Sequence, residues 1–524
     1  MTSNNDSDDD SVESSDSSVP YDPCDIDEGV LEYIKADDPD WGAFYVTFNG
    51  GDHPNYRFDP LSIDWEKEGS AISRSSHMKL LEIRDHGFYF ESNQEERVKN
   101  AKEFYKAVAA NRSIKYLTIE GNVTYGLEMK DTVAILRPFV QSNNKLCSLE
   151  IGDFTMDART AQILASALSN CAASLRSFEL KRCDGLTGRA MEKIINAMKV
   201  HSNVAELRLD EIDIDDEVAA VLGNALTAPG LKRLSLRGDY DLRSGSISEA
   251  GMEAISNGIS HNATLETLDF CHFPIGVGGG LSLAEAISNN SALALKELNL
   301  AGAVHCAQFA PSPEGWAIFF GFLSNSQLQG LYLGDNNISD DVIPSMVECL
   351  NSMTSLKELC LWECSDVTPS GWSDFFRLLK NNRSLRKCNM RANSIFNMSV
   401  VEDMSSTLCD GTSIESIFNS NHTLSMIEPL FPMDPGIKLL LKMNENDDKV
   451  EVARQKIIKY YFLEQNNLHE LGRMDLGLLP RVLGYVDKYE PTRLYEIVRA
   501  IPSLVHNNDN EETIGTKRKR KRRA

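Results

Sequence analysis

The sequence predicts an α/β solenoid, with parallel strands on an inner, concave face, helices on the outer face and a right-handed path between turns. Three observations predict it. An apolar pattern, L-x-x-L-x-L with conservative replacements, recurs in register at Met78, Ile114, Leu146, Leu175, Val204, Leu231, Leu265, Leu295, Leu328, Leu356 and Leu385. Each copy joins a strand-like stretch of period two to a helix-like stretch about ten residues further on. The copies also leave a block at either end of the 524-residue chain that can close the stack.

Taken in chain order, residues 1–19 form an acidic, serine-rich leader whose first 18 residues hold six acids and no base. Such a composition predicts disorder, and Ser7, followed by three Asp, stands either as an acidophilic kinase site or as part of a solvated leader. Residues 20–77 turn globular, with Trp41, Phe44, Tyr45, Phe48, Tyr56, Phe58 and Trp65. They are expected to cap the open edge of the first strand.

The repeats fill residues 78–423, as about eleven to twelve units spaced 27 to 36 residues apart, with a degenerate copy placed at Ile414. In each, apolar residues such as Leu331 and Leu333 share one face of a strand. Stretches such as GWSDFFRLLKNN then carry apolar residues at helical spacing. Two parallel strands need a crossover of about a dozen residues or more, which each unit supplies, and such crossovers are right-handed. No single unit can bury its own apolar face, so the stack makes the core.

From residue 424 to 506 the strand pattern gives way to prolines and then to four helical stretches, read as a helical cap or a separate partner-binding module. Within the second, Asp447 and Asp448 suit the helix start, and Val450, Ala453, Ile457 and Tyr461 are expected to share the docked face. Residues 507–524 are a polar stretch ending in seven consecutive bases, Lys517, Arg518, Lys519, Arg520, Lys521, Arg522 and Arg523.

These units resemble leucine-rich repeats of the ribonuclease-inhibitor-like type, whose pattern continues L-x-x-L-x-L-x-x-N/C-x-L. The N/C position holds Asn122, Cys183, Asn336, Cys364 and Asn393. The resemblance implies that these side chains satisfy backbone groups inside a buried turn. Phe154, Ile212, Phe273 and Ala303 stand there in other units, which predicts a different closure. The C-terminal block resembles the tail of a group of uncharacterised repeat proteins of unicellular algae, which implies no activity. The resemblance implies fold more than function, because its members include inhibitors, GTPase activators, immune receptors and adaptors.

Composition narrows the function. Hydrophobic residues at 42% and charged residues at 25% are those of an ordinary globular chain. No apolar run approaches the roughly 20 residues of a membrane span, and the N-terminus lacks the features of a signal peptide. The expectation is a soluble intracellular protein with no membrane partner. The net charge is −24, and the first 516 residues carry −31, so nucleic acid would be met only through the basic tail. That tail resembles a nuclear import signal for an import receptor. Nucleic-acid contact, lipid contact and plain solvation stay open beside it. Location is therefore read as nuclear or cytoplasmic, with the tail favouring the nucleus.

Eleven scattered cysteines without a C-x-x-C pair fit a reduced compartment, and neither they nor the histidines have metal-ligand spacing. There is no Walker loop, no GxSxG and no HExxH. The stretch from Gly276 to Ile287 misses GxGxxG at Leu281 and reads as an inter-repeat loop before a helix. Acidic pairs such as Asp215 with Asp216, and Asp340 with Asp341, fall where outer helices begin, and are expected to cap them. The chain is thus expected to be noncatalytic and to need no cofactor or metal. A GTPase-activating or other enzyme-regulating protein, using Asn336, Asn337 or Arg391, is the first alternative. A substrate adaptor holding an assembly through its C-terminal helices is the second.

A protein partner is expected on the concave face, at the third, fifth and seventh positions of each unit. Eleven strands at about 4.8 Å make a surface on the order of 50 Å long, suited to a protein or extended peptide. Early units place Glu120, Glu150 and Glu179 there. Middle units place Arg208, Asp210, Arg233 and Arg237, and later ones Tyr332, Trp362, Lys387 and Arg391. Aromatic residues beside Arg are enriched in binding hot spots, while local packing of Tyr332 and Trp362, and a solvated face in the middle units, are the competing readings.

Overall fold

In the computed structural model the described residues are 43–48, 64–85, 94–121, 128–171, 173–201, 203–228, 230–239, 247–304, 312–393, 397–428, 434–465, 483–484, 486–488 and 491–500. The leader, most of the N-terminal block, Asn122 and the basic tail lie outside them. The chain divides into two compact units, Met1–Ala310 and Pro311–Ala524.

In the first unit nine strands run parallel in chain order. They are β1 (Ala43–Phe48), β2 (Leu80–Asp85), β3 (Tyr116–Gly121), β4 (Ser148–Thr155), β5 (Ser177–Asp184), β6 (Glu206–Asp210), β7 (Arg233–Ser235), β8 (Thr267–Asp269) and β9 (Glu297–Asn299). The helices between them are α1 (Trp65–Arg74), α2 (Gln94–Ala110), α3 (Met129–Ser142), α4 (Ala158–Leu168), α5 (Gly188–His201), α6 (Asp216–Leu226), α7 (Glu249–Ile259) and α8 (Gly276–Asn289). The stretch from Gly276 onward is therefore helix itself, not a loop.

Register follows the repeat. Leu81, Leu117, Leu149, Phe178, Leu207, Leu234, Leu268 and Leu298 face one another from strand to strand. Each is at most 2% exposed, and burying such a side chain stabilises by about 1.5–3 kcal/mol.

The second unit has four parallel strands, β10 (Gly330–Tyr332), β11 (Glu358–Cys360), β12 (Lys387–Asn389) and β13 (Met426–Glu428). Its helices are α9 (Pro313–Leu323), α10 (Ile343–Ser352), α11 (Pro369–Leu379), α12 (Met398–Leu408), α13 (Ile414–Phe418), α14 (Pro435–Asn444), α15 (Lys449–Lys456) and, beyond a π-helix over Ile457–Glu464, α16 (Pro491–Ala500). Each unit is thus a solenoid-like α/β stack of one strand and one helix per turn.

Outer helices begin where side-chain oxygens accept orphan N–H groups: Asp157 from Thr160, Asp215 from Val218, Ser248 from Gly251 and Asn397 from Val400. Asp340 behaves differently. It sits in a single 3-10 turn, Asp340–Val342, and its carboxylate accepts from the backbone N–H and hydroxyl of Thr368, the residue that caps α11. Helices α6 and α7 approach backbone to backbone, because a Cβ on Gly223 would lie 2.2 Å from the Ala254 carbonyl oxygen.

Two further devices tie turn to turn. The residue before the N/C position is left-handed in eight units: Asp153, Arg182, Glu211, His272, Asp335, Glu363 and Ala392 have φ of 44° to 59°, and Gly302 has 66°. The N–H of Glu211, His272, Asp335 and Glu363 donates to the next turn's carbonyl at Arg237, Ala301, Trp362 and Arg391. Units with Phe154, Ile212, Phe273 or Ala303 therefore close with the same bend as the others, contrary to the expectation from sequence. The backbone makes the turn, and the N/C side chain fills it.

The second device is a set of buried asparagines three residues before the repeat start. Asn382 donates to the Leu350 carbonyl of the preceding turn and accepts from the N–H groups of Ser384 and Leu385. Asn111, Asn262 and Asn421 repeat the arrangement, with Asn421 serving Thr423 and Leu424. That rung corrects the copy placed at Ile414. Ile414–Phe418 is a short helix, and the last strand, β13, belongs to a turn starting at Leu424.

The C-terminal face matches expectation except at Val450: Ala453 is buried, and Ile457 and Tyr461 pack against a small core of the terminal helices. Val450 is 52% exposed, while Val452, Ala453, Lys456, Ile458, Phe462 and Leu463 are buried. The π-helix shifts the helical phase after Lys456, so Ile458 and Phe462 are buried more deeply than the Ile457 and Tyr461 that a regular 3.6-residue period selects. Val486 and Ile497 complete that small core.

Candidate protein-binding face

The open sheet face, opposite the buried fourth and sixth repeat positions, carries the third, fifth and seventh. In the first unit it is an ionic lattice. Glu120 of β3 and Lys181 of β5 meet across Gly152 of the strand between, Nζ to Oε1 being 3.2 Å. A Cβ on Gly152 would stand 3.2 Å from the Glu120 Cγ. Arg182 is the hub: its guanidinium bonds both oxygens of Asp153, reaches Glu120 at 3.1 Å and Glu211 at 3.4 Å. The left-handed backbone at Asp153, Arg182 and Glu211 aligns these three side chains from successive turns.

Of the residues predicted in the middle units, Arg208 and Asp210 meet each other, while Arg233 and Arg237 meet carboxylates of later strands. Arg208 lies 3.3 Å from Glu179 and 3.4 Å from Asp210, which also accepts from the Ser235 hydroxyl. Arg237 holds Asp269 at 2.7 Å, and Arg233 stands 4.0 Å from Glu297. Glu120, Glu179 and Asp210 are all buried rather than presented to solvent. Burial, and then the charge of Asp210, push the Glu179 carboxyl up to about 8. Burial and then Glu120 push Glu150, which accepts from Thr118, up to about 7. Asp269, Asn299 and Asn389 share a role unseen from sequence, each accepting the N–H two residues on.

In the second unit the face is aromatic. Just beyond β11, Trp362 lies against Gly334, two residues past the end of β10, where an added Cβ would fall 2.3 Å from its Cδ1. Tyr332 folds over Gly330, where a Cβ would meet its ring at 3.1 Å. Both rings are half-buried, so local packing fixes them while one side stays open. Arg391 and Lys387 are exposed beside them, with Arg391 Nε 3.4 Å from the Glu428 carboxylate, and Met426 is exposed on the last strand. The glycines were the available signal: Gly at the third and seventh positions, where other strands carry side chains, makes room for a neighbouring ring.

Asn336 is wholly buried and donates to the Leu333 carbonyl, which commits it to the turn. Cys360 and Cys364 are buried free thiols. Among the described residues no group of three or more His, Cys, Asp or Glu side chains could hold a metal ion, and no helix is long and apolar enough to cross a membrane.

No protein-family model matches the sequence. Ribonuclease inhibitor of Sus scrofa is 24% identical over 315 residues, covering 58% of this chain and 66% of that protein. NACHT, LRR and PYD domains-containing protein 14 of Mus musculus is 26% identical over 266 residues, covering 50% of this chain and 25% of that protein. Among solved structures, a crystal structure of the Rad7 and Elc1 complex in yeast aligns with a TM-score of 0.36 and 14% identity, over 64% of this chain and 74% of that one. Repeat pattern, strand register and these relatives make the array a leucine-rich repeat structure of the ribonuclease-inhibitor-like type. The chain spans 66% and 25% of the length of the two curated relatives.

Proposed function

We propose that the chain is a noncatalytic protein-recognition scaffold whose partner settles on the open sheet face of the second unit. The observation that carries this reading is the glycine-seated pair Tyr332 and Trp362, with Lys387, Arg391 and Met426 beside it. A fixed ring loses little conformational freedom on binding, and aromatic and Arg side chains supply much of the energy of protein interfaces. Arg208, Asp210, Arg233 and Arg237 act in this reading as the scaffold's own ties, since Arg208 is paired with Glu179 and Asp210, Arg233 with Glu297 and Arg237 with Asp269.

The test is quantitative affinity capture at native abundance, with mass spectrometry, beside a Tyr332→Ala/Trp362→Ala variant whose thermal unfolding matches the parent. Loss of a reproducible partner from the variant supports the reading. A partner held equally by both moves recognition to the terminal blocks or outer helices.

As part of the same proposal, the basic run from Lys517 to Arg523 serves nuclear import. Transferred to a reporter, it should concentrate the reporter in nuclei; even distribution would remove the assignment.

A further inference from the structure

The C-terminal helices are fastened to the last repeat by a lysine that has no counter-ion among the described residues. Lys456, the final residue of α15, is completely buried. Its Nζ donates to the Leu408 carbonyl at the end of α12, at 2.6 Å, and to the Asn421 carbonyl before β13, at 3.1 Å. One amine thereby bridges an outer helix, the last asparagine rung and the block that closes the stack.

Among the described residues its surroundings offer no negative charge. Facing it are the Cys409 thiol, Lys449 and Arg383. Burial keeps Cys409 neutral by pushing it up to about 12. Burial, and then the Lys456 charge itself, bring nearby His422 down to about 4. The carboxylates of the elements packed around it are engaged elsewhere or exposed: Asp410 with Lys380 at 2.7 Å, Glu451 with Arg454 at 3.8 Å, Glu464 with Lys459 at 3.6 Å, and Glu415 on the surface. Lys438 and Lys442 of α14 are exposed and add only positive charge. The π-helix begins at the next residue, so the helix departs from regular geometry where the amine is held.

We propose that Lys456 is a pH-operated latch, holding the C-terminal helices on the last repeat through its neutral amine and giving way as falling pH favours the opened state, in which the freed amine carries a proton. A neutral amine donates two hydrogens, and two carbonyls accept them. Protonation adds a charge and a third donor in a place where neither has a partner among the described residues. Burial depresses the group from 10.5 to about 7. The folded value lies below that of a free lysine, so the docked state gains stability as pH rises from about 7 towards 10.5 and levels off below 7. Opening of the block should rise roughly fiftyfold between pH 9 and pH 7, and little further below that.

Hydrogen exchange on the full chain, corrected for intrinsic rates, tests this between pH 6 and pH 9. Protection in α14, α15 and the π-helix should fall about fiftyfold towards neutrality relative to β11 and α11. In Lys456→Met the dependence should vanish. An equal pH slope in the variant, or no slope in the parent, overturns the proposal. If the Met variant does not fold, the lysine 15Nζ resonance of the parent decides: a midpoint near 7 supports the latch and one near 10.5 overturns it.

Discussion

Glu179 shows how a side chain can sit on a protein-binding type of face and still serve the scaffold. It is packed between Arg208 and the negative Asp210, and its carboxyl is raised to about 8 from 4.5. The folded chain therefore keeps a proton that the unfolded chain has released, so this contribution is complete below about 4.5 and is lost as pH rises through 8. Glu179→Gln should raise stability at pH 8 by about 4 kcal/mol and at pH 5 by no more than about 1 kcal/mol. Thermal unfolding at the two pH values checks the sign, and equal shifts at both would dismiss it. Asn382 supplies the opposite case, a polar group whose value is independent of pH. Asn382→Ala leaves the Leu350 carbonyl and two N–H groups without their partner, and should cost about 2–4 kcal/mol in urea unfolding. A loss under 1 kcal/mol would show that water replaces the amide.

At the scale of the element, strands were the most legible part of the sequence, because period-two apolar residues fix a register that a one-residue slip would destroy. All eleven repeat starts from Met78 to Leu385 place their fourth residue in a strand. The failure at Ile414 is physical: I-x-x-I marks a helical turn as readily as a strand. The discriminating signal was polar, since N-x-S/T followed by Ile or Leu, at Asn111, Asn262, Asn382 and Asn421, precedes a strand each time. The face was less legible. Sequence identifies which side chains point off the sheet, but not that Arg208 and Arg237 meet carboxylates across strands, nor that a glycine seats each aromatic ring. Helix contacts were the least legible, because Gly223 and Gly258 look like weak helix residues and instead let two backbones touch. A Cβ on Gly258 would lie 2.2 Å from the Gly223 carbonyl oxygen. Gly258→Ala should therefore lower stability by about 1–3 kcal/mol, against the gain that alanine brings to an unconstrained helix. A rise in melting temperature would mean that α6 and α7 separate at little cost.

For the whole molecule, stability is a sum over turns, each needing its neighbours. Leu333→Asp places a charge at a site with no solvent exposure, and should melt the turns around β10 and β11 first. Hydrogen exchange would then show protection lost there before it is lost in β3 to β6; uniform loss would indicate a single cooperative block. The asparagine rungs set a rule for how such an array can change over generations. Each amide addresses the turn behind it and the start of its own, and nothing more distant. A segment such as the 29 residues separating Leu356 from Leu385 can be gained or lost whole, leaving every junction chemically the same. An insertion of half that length would point an amide at the wrong carbonyl. Genes encoding such chains are thus free to drift in length by whole units, and a partner surface can be lengthened without redesigning what holds it.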